Sequence, residues 1–280
     1  MMKRFKLGII GCGNMGQALL SSALKNKSFS FFICEKRLEV IKQIKERFKI
    51  YKRRIEFLDI DRLVELSDIL IIAVKPQDID IVLKNIKEKI DFYKRAPLII
   101  SIAAGITTDY LEKRLKDKIR LIRAMPNIAI LVEEGMIALK RGRFAKDSDL
   151  NLAKDIFSLM GKTVEIKKEE DMDIVTALSG SGPAYVAYII EAILKATAKL
   201  GLDKALSQRL IYQTFLGTLK LLIKNDFATQ DLILKVASKK GTTERALDVF
   251  KKYQLDKIIY KAINSAFRRA REISFMFNKK

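Results

Sequence analysis

A chain of 280 residues in which 49% of side chains are apolar can bury a sizeable core, and its length favours two domains over one. The formal charge is +21 and histidine is absent, which excludes a Ser-His-Asp triad, a Cys-His pair, His-ligated zinc and a histidine general acid. Chemistry must therefore come from a cofactor, hydroxyls, carboxylates, amines and backbone.

The basic residues are interleaved with acids, as in Lys84-Asn85-Ile86-Lys87-Glu88-Lys89. With no RNP-like strand, helix-turn-helix spacing or zinc knuckle, the charge reads as a compositional habit and no nucleic-acid partner is expected. Cys12 and Cys34 lie on or beside expected strands without a CxxC, so they read as small buried residues, and no metal site is expected. No uncharged apolar stretch reaches the ~20 residues of a spanning helix. The most apolar helix, residues 184–200, carries Glu191, Lys195 and Lys199 as one polar stripe, so no membrane partner is expected. The N-terminal Met-Met-Lys-Arg-Phe-Lys has the charge of a signal peptide, but a glycine turn interrupts its apolar run at once. A cytoplasmic location follows as the expectation.

In chain order, the first strand is expected at 7–10, followed by Gly11-Cys12-Gly13-Asn14-Met15-Gly16 and a helix over 15–25. In a dinucleotide-binding turn the first glycine makes the bend, the second admits the pyrophosphate, and the third lets helix pack on strand. The helix N-terminus adds free N–H groups and a positive dipole end. A second strand at 31–34 ends at Glu35, able to accept from a ribose 2′-hydroxyl, while Lys36 and Arg37 suit a 2′-phosphate. NAD and NADP therefore both stay open. Helices at 38–48 and 61–66, a strand at 69–74, a helix at 78–90, a strand at 98–102 and a helix at 107–115 continue the alternation. Ala73-Val74-Lys75-Pro76 and Ser101-Ile102-Ala103-Ala104-Gly105 close two of these strands at the sheet edge where ligands bind. Strands at 120–124, 136–139 and 163–165 bracket a helix at 148–159. Asn127, just past the first of them, can hydrogen-bond an amide or nearby backbone. The alternation predicts an α/β doubly wound, mostly parallel sheet with right-handed crossovers.

Beyond about Ile166 only helices are expected, at 172–178, 184–200, 205–223, 230–237, 244–253 and 256–277. The boundary divides a dinucleotide-binding domain, 1–166, from an all-helical domain, 167–280. Phe215, Leu216, Leu219, Leu221, Leu222 and Ile223 exceed one narrow stripe, which predicts burial against a second chain. Thr176-Ala177-Leu178-Ser179-Gly180-Ser181-Gly182-Pro183-Ala184-Tyr185 and Ser238-Lys239-Lys240-Gly241-Thr242-Thr243-Glu244 are hydroxyl-rich helix starts. Each reads as a capped helix or as a carboxylate cradle.

Taken together, GxGxMG at 11–16, AVKP at 73–76, SIAAG at 101–105, MPN at 125–127, ALSGSGPAY at 177–185 and GTT at 241–243 resemble the pyrroline-5-carboxylate reductases, in order and spacing, over essentially the whole chain. The resemblance implies an N-terminal Rossmann domain, an all-helical C-terminal domain that interlocks in a homodimer, and frequent further assembly into decamers. It implies NADPH- or NADH-dependent reduction of 1-pyrroline-5-carboxylate to L-proline. By that resemblance residues 11–16 hold the pyrophosphate, with Ala73, Val74, Lys75, Pro76, Ile102, Ala103 and Ala104 on the nicotinamide side, and Asn127 is a further cofactor-site candidate. Ser181, Gly182, Ser238, Gly241, Thr242 and Thr243 serve the substrate, with Thr243 bonding the ring nitrogen and Glu169 as a substrate-site acid. The chain departs from the pattern at Lys239-Lys240, where Pro-Gly is usual, at Ile128-Ala129 in place of Thr-Pro, and at Lys235. The competing expectations are a related reductase of another cyclic imine or keto acid, and a non-catalytic dinucleotide-binding regulator.

Overall fold

Continuous apolar runs in the N-terminal half become strands that are covered on both faces. The structure is a computed structural model describing residues 5–93, 96–115, 118–225 and 228–278; residues 1–4 of the charged start lie outside the described residues. In order come β1 (Phe5–Ile10), α1 (Asn14–Ala23), β2 (Phe29–Cys34), α2 (Leu38–Arg47), β3 (Ile55–Phe57), α3 (Ile60–Leu66), β4 (Ile69–Ile72) and α4 (Ile79–Tyr93). Then follow β5 (Leu98–Ser101), α5 (Thr108–Leu115), β6 (Leu121–Pro126), β7 (Gly135–Arg141), α6 (Asp147–Ser158) and β8 (Gly161–Glu165). One eight-stranded sheet results, ordered β3-β2-β1-β4-β5-β6-β7-β8. Leu7, Ile9 and Phe31 pack into one layer with α1 and α6, whereas Ile10, Leu70 and Ile72 pack into the other with α3, α4 and α5. Each such side chain contributes about 1.5–3 kcal/mol by leaving water.

The doubly wound sheet is as expected except between β6 and β7, which pair antiparallel. Residues 127–134 hold only a 3-10 turn (Ile128–Val132), too few for the roughly dozen-residue crossover a parallel return requires. The chain doubles straight back. The short edge strand β3 is an addition to the expected set.

By contacts, the first compact unit runs through Ser181 and takes in residues from Ala266 onward, past the expected boundary at 166. α7 (Asp171–Val175) belongs here because Met172 and Ala177 are buried against the sheet unit. The end of the chain belongs here too, since the Ser274 hydroxyl donates to Asp173 Oδ1 at 2.6 Å. Gly105, at φ +77°, lets this segment approach: a Cβ there would fall 2.6 Å from Ile273.

The second unit comprises α8 (Gly182–Lys199), α9 (Lys204–Asn225), α10 (Thr229–Val236), α11 (Thr242–Lys252) and the start of α12 (Leu255–Asn278). Among its described residues Ser207 alone is buried; no apolar side chain is. A helical unit without its own core leaves Tyr188, Leu216, Leu219 and Ile223 exposed, and such a surface marks an interaction site. The stretch Asp171–Lys199 has the length and hydropathy of a membrane span, but Glu191, Lys195 and Lys199 interrupt it on one side.

Candidate active site

Parallel register brings three expected loops to one edge. Ile10 pairs with Ile72 and Ile72 with Ser101, so the chain leaves β1, β4 and β5 at the same level. Ala73 N–H donates to Ile10 O at 2.8 Å and Ile102 N–H to Ile72 O at 3.0 Å, extending the rungs into the loops. At this edge each glycine of the first loop has a separate duty. Gly11, at φ +83°, sits where a Cβ would meet Ala73 O at 2.9 Å, and a Cβ on Gly16 would lie 2.5 Å from Gly11 O. Gly13 is open, with only the Arg37 guanidinium within reach, at 3.4 Å from its ideal Cβ. The N-terminus of α1 carries no side-chain cap and no acid in its first turn. Its unpaired N–H groups and positive dipole end therefore present an anion-binding surface beside the open glycine.

Around it, Lys75 is exposed, Val74, Pro76, Ile102 and Ala104 are half-buried, and Ala103 is buried in the core under the loop. Cys12 is fully buried, and burial, with the Glu35 charge beside it, pushes its thiol up to about 12. The thiol is inert at neutral pH.

Glu35 is held from within the chain. Oε1 accepts from the N–H groups of Lys36 (2.9 Å) and Arg37 (3.0 Å) and from Arg37 Nε (3.0 Å), and Oε2 from Cys12 N–H (2.9 Å) and Arg37 Nη2 (2.9 Å). Burial works to raise its pKa, but these hydrogen bonds outweigh it and hold the carboxyl at about 2. Five donors exceed the roughly four lone-pair directions of a carboxylate, so Glu35 braces the glycine turn and has little left for a ribose. Cys12 N–H is likewise spent on that brace. Arg37, half-exposed beside Gly13, is the cation that results.

Glu169 is also a brace. Its Oε1 accepts from Arg123 Nη1 (2.6 Å) and Thr108 N–H (3.2 Å), and its Oε2 from the Thr108 hydroxyl (2.7 Å). Arg123 is 2% exposed inside β6, with Nη2 lacking a partner among the described residues. Removing the acid strands a buried charge, which costs more than the pair contributes. Glu169→Ala should lower the unfolding free energy by about 3 kcal/mol, read by urea titration. Full stability with lost turnover would instead put Glu169 on the substrate.

Asn127 ties the end of β6 to Ser179 in a π-helical turn (Thr176–Gly180). Ala129, standing where the family pattern has proline, supplies an N–H that bonds Asn127 Oδ1 at 3.2 Å. Ser181 closes the π-helical turn on Thr176 O, through its N–H at 3.0 Å and its hydroxyl at 3.3 Å. Gly182 has open space around it.

In the helical unit, Ser238 O accepts from Gly241 N–H at 3.0 Å, closing a turn. Lys240 sits in it at φ +59°, a left-handed conformation that glycine adopts freely and lysine at about 1–2 kcal/mol. The missing glycine therefore leaves the bend in place at a cost in strain. Lys240 N–H donates to Glu244 Oε2 at 2.7 Å. Thr242 is exposed, whereas Thr243 lines an apolar groove of about 350 Å³ with Leu221, Leu222, Ile233, Val236 and Leu247. Thr108 and Arg123 complete the picture. Of these Arg123 left a signal: a lone arginine in an apolar strand must find an acid.

A doubly wound sheet with a glycine turn, joined to helices that need a partner, defines a dinucleotide-dependent oxidoreductase. Residues 6–105 match the family model described as NADP oxidoreductase, coenzyme F420-dependent, and residues 169–273 match pyrroline-5-carboxylate reductase dimerisation. The chain is 35% identical to a pyrroline-5-carboxylate reductase of Synechocystis sp., over 96% of this chain and 98% of the relative. It is 33% identical to pyrroline-5-carboxylate reductase 1 of Bacillus subtilis, over 96% and 89%. The crystal structure of Plasmodium falciparum pyrroline carboxylate reductase with NADP bound superposes with a TM-score of 0.84 at 30% identity, covering 98% of this chain and all of that one. The chain belongs to the pyrroline-5-carboxylate reductase family.

Proposed function

We propose that the chain reduces 1-pyrroline-5-carboxylate to L-proline, the last step of proline biosynthesis, by adding hydride to the carbon of the cyclic C=N bond. One observation carries the reading: the loops after β1, β4 and β5 meet at one sheet edge beside an uncapped helix N-terminus. When bound, NADPH or NADH supplies the hydride. Gly13 leaves room for its diphosphate, the N–H groups of Asn14, Met15 and Gly16 face it, and Gly11 and Gly16 shape the turn. Ala73, Val74, Lys75 and Pro76, with Ile102 and Ala104, line the nicotinamide side. In the first unit Ser181 is a substrate-side hydroxyl; in the helical unit Gly182, Ser238, Gly241, Thr242 and Thr243 are the groups for the substrate carboxylate and ring nitrogen. An imine is activated once protonated, so the chain needs to orient two rings and exclude water rather than supply a strong base. Glu169 holds Arg123 and Thr108 in place without touching the imine.

The setting is the cytoplasm, supported by two free thiols and no disulfide among the described residues. The dimers assemble further into decamers, which light scattering would register as five dimers per particle.

The direct test is steady-state reduction of the imine, compared with NADPH and NADH. No oxidation of either nicotinamide with this imine would end the proposal. Arg37 and Lys36 favour a 2′-phosphate, while ionised Glu35 opposes it. Arg37→Ala should therefore lower the NADPH-to-NADH ratio of kcat/KM by about tenfold or more, the worth of one charge-assisted hydrogen bond. An unchanged ratio removes Arg37 from cofactor recognition.

A further inference from the structure

The side-chain amide of Asn127, next after the last residue of β6, is completely used. Its Oδ1 accepts from the N–H groups of Ala129 (3.2 Å) and Met136 (3.3 Å), and its Nδ2 donates to the carbonyl (3.2 Å) and hydroxyl (3.4 Å) oxygens of Ser179. An asparagine amide has two donor and two acceptor directions, so none remains for the amide of a nicotinamide. Both donors are spent on a single residue of another segment.

That residue lies in the π-helical turn Thr176–Gly180, where Ser181 N–H reaches back five residues to Thr176 O. Such turns are rare and persist where surrounding structure holds them, frequently at functional sites. Two supports from the β6 end do so here. Met125 lies under Gly180, its Cε 2.8 Å from where a Cβ would stand, and Asn127 grips Ser179 from beside it. The β5–β6 register, Ser101 with Arg123, carries β6 past the end of β5, so that Met125 lies near the end of β6 and Asn127 directly follows it.

We infer that Asn127 is a positioning residue that transmits the level of the sheet edge to the turn at 179–181. It thereby sets where the Ser181 hydroxyl stands relative to the nicotinamide-side loops. The inference rests on the reading of Ser181 and Gly182 as substrate-side groups. A displacement of about 1 Å at such a turn is enough to cost on the order of 10²-fold in turnover, while the hydrogen bonds of the Asn127 side chain go to Ser179, Ala129 and Met136 rather than to the diphosphate cradle at 11–16.

Asn127→Asp keeps the size and both acceptor contacts, removes both donors, and sets a carboxylate oxygen against the Ser179 carbonyl. The expected result is a fall in kcat of about tenfold to a hundredfold, with KM for NADPH held within about twofold. Amide hydrogens of 176–181 should also exchange faster with solvent deuterium in this variant. The exchange is measured without substrate, so it reports on the turn even if the wild-type protein fails to reduce the imine. Wild-type exchange overturns the inference. A rise in NADPH Kd matching the fall in kcat also overturns it, by placing Asn127 on the cofactor. Asn127→Ser retains a cap for Ala129 N–H but is too short for Ser179. It faces the same readouts if the aspartate variant does not fold.

Discussion

Thr243→Val is expected to lower kcat/KM for 1-pyrroline-5-carboxylate by about 10²-fold, the lower range for a positioned proton-handling or hydrogen-bonding group, with NADPH binding unchanged. The change is close to isosteric, so the apolar groove around residue 243 stays filled and only the hydroxyl disappears. The groove makes the hydroxyl valuable. Leu221, Leu222, Ile233, Val236 and Leu247 make most of the groove apolar, with Thr218 and Thr229 as its other hydroxyls, and a hydrogen bond gains strength in low-dielectric surroundings. Thr242, exposed one residue earlier, serves as the internal control, and Thr242→Val should cost less. Equal kinetics for wild type and Thr243→Val, measured over a range of imine concentrations, would remove this hydroxyl from the mechanism.

How much of this could be read from residues alone differs between levels of structure. Strands were legible wherever apolar residues ran continuously, because a parallel sheet covered on both faces leaves no polar alternation to confuse with a loop. β3 was not: Ile55-Glu56-Phe57 is short and follows Lys52-Arg53-Arg54, so nothing in composition lifts it above its surroundings. The direction of β7 was hidden for another reason. Strand pattern is blind to direction, and only the brevity of 127–134 reveals the return. At the site, the glycine turn announced its ligand class, since three glycines at that spacing answer three distinct steric demands. The fate of Glu35 did not show. Its type suited a ribose, whereas its geometry commits it to Cys12 N–H and Arg37, and the choice between a backbone partner and a ligand is not written in residue identity. The Arg123–Glu169 pair joins segments that no local pattern connects, although the buried arginine itself was visible in Leu121-Ile122-Arg123-Ala124.

The largest structural effect is expected from Leu216→Asp in α9. Tyr212, Leu216, Leu219 and Ile223 recur at helical spacing, are all about half-exposed or more, and form one apolar face. The adjoining flank of α9, about a quarter-turn round, carries Gln213, Gly217, Lys220 and Lys224. A unit in which no apolar side chain among the described residues is buried is expected to obtain its core from a second copy, and the dimerisation family match covers these residues. An unpaired aspartate in that shared core costs several kcal/mol. At 1.4 kcal/mol per tenfold, the dimer constant should weaken by at least about 10³-fold, and reductase activity should fall with it. Sedimentation across a concentration series reads the first effect and the imine assay the second. Gln213→Asp, on the adjoining flank of the same helix, should change neither. A Leu216→Asp protein that still sediments as a dimer would show that this face of α9 looks to solvent, and the core the helices lack would then have to come from α8, α11 or α12.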